Sequence, residues 1–265
     1  MTPAVLMVTL MTTVIAAPLP HSVTGKGPAV VLVHGLGGDR HVWDDVAKKL
    51  AQTHTVIALD LPAHGEAVVQ KRVDFDSIAR QIAATVRAEK AAPAVIVGHS
   101  LGGAIVGHVP LVDPEVARAL VIVDSGIGAL WSQKDVDEVR AGLAKDREAT
   151  LRGWFGAICT PGQADRVLAG VRKLSDQTLL GYVEGMAKQP VPDGGKGLTL
   201  PVLVMPTKLS VPDPKKMAES LAQLGFGNVK KRESEYFDKS MHWPFWDEPQ
   251  KFTTVLARFL ATVEK

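Results

Sequence analysis

Five short apolar runs constrain this chain more than any other feature: Ala29 to Val33, Val56 to Leu59, Ala94 to Val97, Leu120 to Val123 and Val202 to Met205. None alternates with polar residues, and β-branched side chains and Leu dominate them. A strand with one wet face shows period-two polarity. Unbroken runs of this length therefore describe strands covered on both faces, the condition of a parallel sheet. Amphipathic segments separate the first three runs, with Val42, Val46 and Leu50 on one face and then Ile78, Ile82 and Val86. Strand, helix and strand in repetition predict an α/β fold, a mostly parallel sheet flanked by helices with right-handed crossovers. Near the C-terminus Phe252, Val255, Leu256, Phe259, Leu260 and Val263 follow the 3.6-residue period. Asp247 reads as the N-cap of that helix, with Pro249 in its first turn.

The strand rhythm stops near Ile127. Helical spacing replaces it in Val136, Val139 and Leu143, in Val167, Leu168 and Val171, and in Leu179, Val183 and Met186. From Pro190 to Pro201 three prolines and three glycines read as a return linker. The expected organisation is a core made of residues 18–126 and 197–265, with a helical insertion at 127–196. A chain of 265 residues, 46% hydrophobic and 22% charged, suits one domain with such an elaboration. Its formal charge of +2 gives no reason to expect a nucleic-acid partner. Cys159 is the only cysteine, so neither an intramolecular disulfide framework nor a cysteine-based zinc cluster can form.

The first seventeen residues carry no charge, and the run from Ala4 to Ala17 has the length of a secretory h-region ending in small residues. Residues 1–17 are therefore read as a signal peptide, which implies a secreted or periplasmic protein. Against this, no Lys or Arg precedes the run and Pro18 follows Ala17 directly. A pair of opening strands is the competing reading, with a cytoplasmic protein as its consequence. The run falls short of the roughly 20 apolar residues that cross a bilayer, so no integral membrane segment is expected.

Directly after the third run stands Gly98-His99-Ser100-Leu101-Gly102-Gly103, a G-x-S-x-G pattern between a strand and a helix. The spacing has a steric reason. A sharp turn forces Ser100 into a strained backbone conformation, and side chains at 98 and 102 would collide with the neighbouring strand and helix. The strain lifts the hydroxyl clear of the sheet, and the helix start presents N–H groups to incoming negative charge. With these residues the chain resembles the α/β-hydrolase superfamily, in its serine esterase and lipase-like branch, from Gly25 to the C-terminus. The resemblance implies a helical cap inserted after the sixth strand. Val33-His34-Gly35-Leu36-Gly37-Gly38 looks like the loop that supplies part of the oxyanion hole, so the backbone N–H groups of Leu36 and Leu101 would hold the developing charge. His34 is read as a structural side chain bonding its own loop, and His99 as having no proton-transfer role. The same loop fails as a dinucleotide fingerprint, because Arg40 stands where G-x-G-x-x-G needs a small residue. No P-loop or recognisable metal-binding spacing occurs, and no cofactor or metal is expected.

Serine is a weak nucleophile at neutral pH and needs a base. Among eight histidines, His242 lies in Ser240-Met241-His242-Trp243-Pro244 just before the last helix, where members of the resembling family carry theirs. The family's third member is a carboxylate between 100 and 242. Its usual place, the loop after Val202 to Met205, reads Pro206-Thr207-Lys208-Leu209-Ser210-Val211-Pro212 and holds none. Asp124, ending the strand Leu120 to Val123, is the favoured acid, as in some branches of the superfamily. Asp213 is the alternative, although Asp213-Pro214 also reads as a helix cap; Asp238 ranks behind both. Asp60-Leu61-Pro62-Ala63-His64-Gly65 resembles a structural turn of the family, and Lys230-Lys231-Arg232 is read as a solvated edge.

Trp131, Trp154 and Phe155 in the insertion, with Trp243, Phe245 and Trp246 beside the base, are candidates to line an apolar pocket or simply to pack cap on core. The expected function is hydrolysis of a small-molecule carboxylic ester with an apolar acyl or alcohol part. Lactone or carbon–carbon bond hydrolysis by the same triad is an alternative, and a non-catalytic ligand-binding protein on this scaffold is another. Nothing in the pattern specifies an oligomeric state.

Overall fold

The computed structural model describes residues 16–160 and 162–265. The segment read as a signal peptide therefore lies almost wholly outside the described residues. Among the described residues seven strands form one sheet: β1 (His21–Thr24), β2 (Ala29–Val33), β3 (Thr55–Leu59), β4 (Ala94–His99), β5 (Ala117–Val123), β6 (Val202–Met205) and β7 (Arg232–Ser234). Their spatial order is β1-β3-β2-β4-β5-β6-β7, and every neighbouring pair is parallel except β1 with β3. All five apolar runs are strands here, and in β2, β4 and β6 every residue is buried. The strands that the apolar pattern omits are the two edges, β1 and β7, which are short and mostly exposed. An edge strand has no second face to hide, so no apolar run marks it.

The helices follow from the same burial logic. A 3-10 turn over Arg40–Trp43 leads into α1 (Asp44–Leu50), which buries Val46 and Leu50. In α2 (Phe75–Ala88), Asp74 caps the N-terminus through Ser77 N, and Ile78, Ile82 and Val86 are buried. Two short helices follow β4, α3 (Leu101–Val106) and α4 (Val109–Val112).

Among the described residues four α-helices separate β5 from β6: α5 (Gln133–Lys145), α6 (Arg147–Ile158), α7 (Ala164–Val171) and α8 (Asp176–Lys188). Among the described residues this insertion follows the fifth strand in chain order. The periodicity of the sequence marks α5, α7 and α8 but not α6, which buries only Leu151 and Phe155.

The chain closes with α9 (Met217–Leu221), α10 (Pro244–Asp247) and α11 (Pro249–Val263). Asp247 does not cap α11, contrary to the sequence expectation: it ends α10, and Glu248 occupies the cap position without a side-chain cap bond. The physical reason is that both carboxylates turn back toward the loop before α10. Asp247 accepts from Met241 N at 2.9 Å, and Glu248 accepts from Ser240 Oγ at 2.8 Å.

Register sets the stage for the site. Val33 pairs with Gly98, His99 with Val123, and Val123 with Met205, so the four parallel strands β2, β4, β5 and β6 end almost level with one another. Residues just beyond those ends gather at the carboxyl edge of the sheet, where open α/β sheets bind ligands.

Candidate active site

The turn after β4 carries the strain that its glycines foretell. Ser100 has φ 52 and ψ −121, a region that costs a non-glycine residue about 1–3 kcal/mol. A Cβ at Gly98 would lie 2.5 Å from the Gly102 carbonyl oxygen, and one at Gly102 would lie 2.5 Å from the His34 carbonyl oxygen. Both clashes are with backbone, so β4, α3 and the loop after β2 come this close only without those side chains. Ser100 N still donates to Val123 O, and Ser125 Oγ donates to Ser100 O, which ties the turn to the end of β5.

Asp124 sits one strand over in a second turn with positive φ, 39°, tolerable for Asp. Its carboxylate is buried. One oxygen, Oδ2, lies 2.6 Å from His242 Nδ1, and the other accepts from Thr207 N at 2.9 Å and from Ser210 Oγ at 2.5 Å. The loop after β6 thus lacks a carboxylate but donates two hydrogen bonds to one. His242 Nε2 lies 2.7 Å from Ser100 Oγ. Because an ionised carboxylate only accepts, Nδ1 carries the proton toward Asp124, and Nε2 is free to accept from the serine hydroxyl.

Contacts from distant parts of the chain hold the His242 backbone. Its N–H donates to Ile158 O at the end of α6, and its carbonyl accepts from His99 Nε2 at 2.8 Å. His99 is fully buried, and burial, with His242 beside it, holds its imidazole well below the ordinary value. It is a neutral donor that positions the loop. Asp247, which accepts from Met241 N, also accepts from Gln163 Nε2 at 2.7 Å.

Among the described residues neither Leu36 N–H nor Leu101 N–H has an acceptor within the protein. Two neutral histidines fix the loop that bears Leu36. His34 Nδ1 donates to Gly35 O at 2.7 Å, while its Nε2 accepts from Leu61 N. His64 Nδ1 donates to Pro62 O, while its Nε2 accepts from Gly37 N at 3.0 Å. Burial drives His34 down to about 4 from 6.5, and burial with His34 nearby drives His64 down to about 3. Their neutral forms supply the lone pair that each loop amide needs. His64 escaped the sequence reading because nothing in Asp60-Leu61-Pro62-Ala63-His64-Gly65 reveals that its ring reaches the Gly-rich loop. Arg40, the residue that breaks the dinucleotide pattern, is bound to the buried Asp60 at 2.8 Å and to Glu66.

A cavity of about 290 Å³ opens over Ser100. Trp131, Trp154, Phe155 and Trp243 all line it, together with Trp246 and the edge of the Leu36 loop. Phe245 does not: it packs into the core, 4.3 Å from the Trp43 ring centroid. The structure does not bring Asp213 to the histidine. It accepts from Lys215 N and caps the turn Pro214–Lys216. Asp238 faces Lys251 at 3.8 Å. No helix among the described residues is long and apolar enough to cross a membrane.

Residues 30–255 match the model of the alpha/beta hydrolase family, and the chain belongs to that family. Among solved structures, it is similar to an esterase from Exiguobacterium antarcticum (TM-score 0.77, 19% identity, covering 93% of this chain and 96% of that one). A hydrolase from Oleispira antarctica shares the fold at TM-score 0.78 and 15% identity, with 93% and 96% of the two chains covered. In sequence the chain is 27% identical to the pimeloyl-[acyl-carrier protein] methyl ester esterase of Vibrio cholerae, over 89% of this chain and 96% of the relative. It is 28% identical to an uncharacterized protein of Mycobacterium tuberculosis, over 91% of this chain and 78% of the relative.

Proposed function

We propose that this protein hydrolyses small carboxylic esters through an acyl-enzyme, with Ser100 as nucleophile, His242 as general base and Asp124 as the acid that orients it. The observation that carries this reading is the continuous chain from Asp124 Oδ2 through His242 to Ser100 Oγ, at 2.6 and 2.7 Å, beside two amides without acceptors. The hydroxyl proton passes to His242 Nε2 as Oγ attacks the carbonyl, and Asp124 stabilises the imidazolium without taking its proton. The Leu36 and Leu101 amides meet the oxyanion, each contributing about 2.7–4 kcal/mol to the transition state. His242 then returns the proton to the leaving alcohol, and water resolves the acyl-enzyme by the same route.

An aromatic wall and a volume of about 290 Å³ support an apolar acyl or alcohol part of modest size. The Vibrio cholerae relative, named for cleavage of a methyl ester, agrees with an ester as the bond broken. The test is a panel of p-nitrophenyl esters, with acyl lactones and ring-fission diketones beside them, run against wild type and Ser100→Ala. Wild type turns over esters, and Ser100→Ala loses up to about 10⁶ in kcat. A fluorophosphonate labels Ser100 stoichiometrically. Turnover that survives in Ser100→Ala, or a protein that binds esters without labelling or cleavage, overturns the proposal.

A further inference from the structure

The helical insertion holds five arginines, and four of them are in ion pairs: Arg140 with Asp137 and Glu184, Arg147 with Asp176, and Arg152 and Arg172 with Glu148. Arg166 differs. Among the described residues no carboxylate lies within ion-pairing distance of it, and its guanidinium carbon sits 4.4 Å above the Trp246 ring. Asp247, the nearby acid of α10, is engaged by Gln163 Nε2 and Met241 N. Trp246 is itself fixed, by its Nε1 bond to Val42 O and by stacking on Trp243 at 11° and 5.6 Å.

Arg166 and both tryptophans line the cavity that holds Ser100, and Arg166 is the only Lys or Arg among its lining residues. A guanidinium stacked on a ring uses its face for that contact. Its donors lie in the plane of the group, so its edge stays available to a planar two-oxygen acceptor.

We infer that Arg166 is a specificity residue that binds a carboxylate at the far end of the substrate, making aliphatic half-esters of dicarboxylic acids the preferred substrate class. The inference rests on the ester-hydrolase reading. The apolar wall takes the methylene spacer, Ser100 attacks the ester end, and the exposed guanidinium holds the anionic end at the cavity rim. Because Arg166 is exposed, the attraction weakens as salt rises.

The experiment compares kcat/KM for p-nitrophenyl monoesters of glutaric, adipic and suberic acids with that for p-nitrophenyl alkanoates of matching carbon number. The measured quantity is the ratio, anionic over neutral. In wild type one monoester is favoured, and its advantage shrinks with added NaCl. Arg166→Gln lowers that ratio by about 10- to 100-fold, whatever happens to the absolute rate on the neutral ester. Arg166→Lys keeps the charge without the fork and falls between. An Arg166 that only clamps α7 onto Trp246 would depress both substrates equally, and a ratio unchanged in Arg166→Gln overturns the inference.

Calorimetric titration with adipate separates the two readings. If adipate binds wild type and not Arg166→Gln while no ester is cleaved, the anion site stands and the hydrolase reading fails. If esters are cleaved and adipate binds neither protein, the hydrolase reading stands and the anion site fails.

Discussion

Ser100 and Asp124 end adjacent parallel strands, both with positive φ, yet they are held in place by different means. At Ser100 the restraint is steric and local. Glycines at 98 and 102 let backbone meet backbone, and the turn can take one shape. At Asp124 the restraint is a set of hydrogen bonds from residues more than 80 positions away, Thr207 N, Ser210 Oγ and His242 Nδ1. A steric restraint fails by collision and a bonded one fails by degrees, so the two turns should answer mutation differently.

The largest effect tests the bonded side. Asp124→Asn leaves the shape of the side chain intact but favours the wrong imidazole tautomer, and kcat should fall by about 10⁴. A near-normal Asp124→Asn enzyme with an inactive Asp213→Asn would reverse the assignment of the acid. On the steric side, Gly102→Ala pushes a Cβ against the His34 and Val33 carbonyls, at 2.5 and 2.7 Å. The end of β2 and the start of α3 must part, carrying the Leu36 and Leu101 amides with them. We expect a loss of about 10²–10³ in kcat with about 1–3 kcal/mol of stability, read from turnover and urea unfolding on the same preparation. Wild-type activity in Gly102→Ala would show that the turn is looser than its contacts require.

Ser210→Ala removes one of the two donors to Asp124 Oδ1 and leaves Thr207 N in place. Hydrogen bonds to a charged group contribute about 1.5–3 kcal/mol, so a loss of about tenfold in kcat is expected, far short of Asp124→Asn. Equal losses would make the loop after β6 as decisive as the carboxylate itself.

The gentlest probe is pH. His34 and His64 are lowered in the fold to about 4 and about 3 from 6.5, so the unfolded chain binds more protons throughout that window. Stability is therefore full above about pH 6.5 and declines as pH falls through the window toward those lower values. Urea midpoints at pH 7, 6 and 5 should step downward, and a flat profile would mean that burial does not hold these imidazoles neutral.

The contrast between the two turns also explains what could be read from the residues in advance. The five internal strands announce themselves because double-sided burial leaves an unbroken apolar run, whereas the exposed edges β1 and β7 leave none. The elbow at Ser100 is legible because a steric requirement is met by residue type at fixed local spacing. His64 and Ser210 are not, since a hydrogen bond from a side chain far along the chain imposes no pattern around it. Asp247 shows the reverse error: its place before Pro249 suits a cap, but tertiary contacts recruit its carboxylate to Met241 N and Gln163.

Local chemistry in the chain determined the parallel α/β sheet, the strained serine and the histidine ahead of the last helix, because burial period and glycine spacing act over a few residues. Which carboxylate reaches that histidine, which imidazoles brace the Gly-rich loop, and which arginine stacks on the aromatic wall were decided only by the tertiary structure. Those outcomes depend on distances between residues tens to more than a hundred positions apart, and only the packing of the sheet and the helical insertion sets such distances.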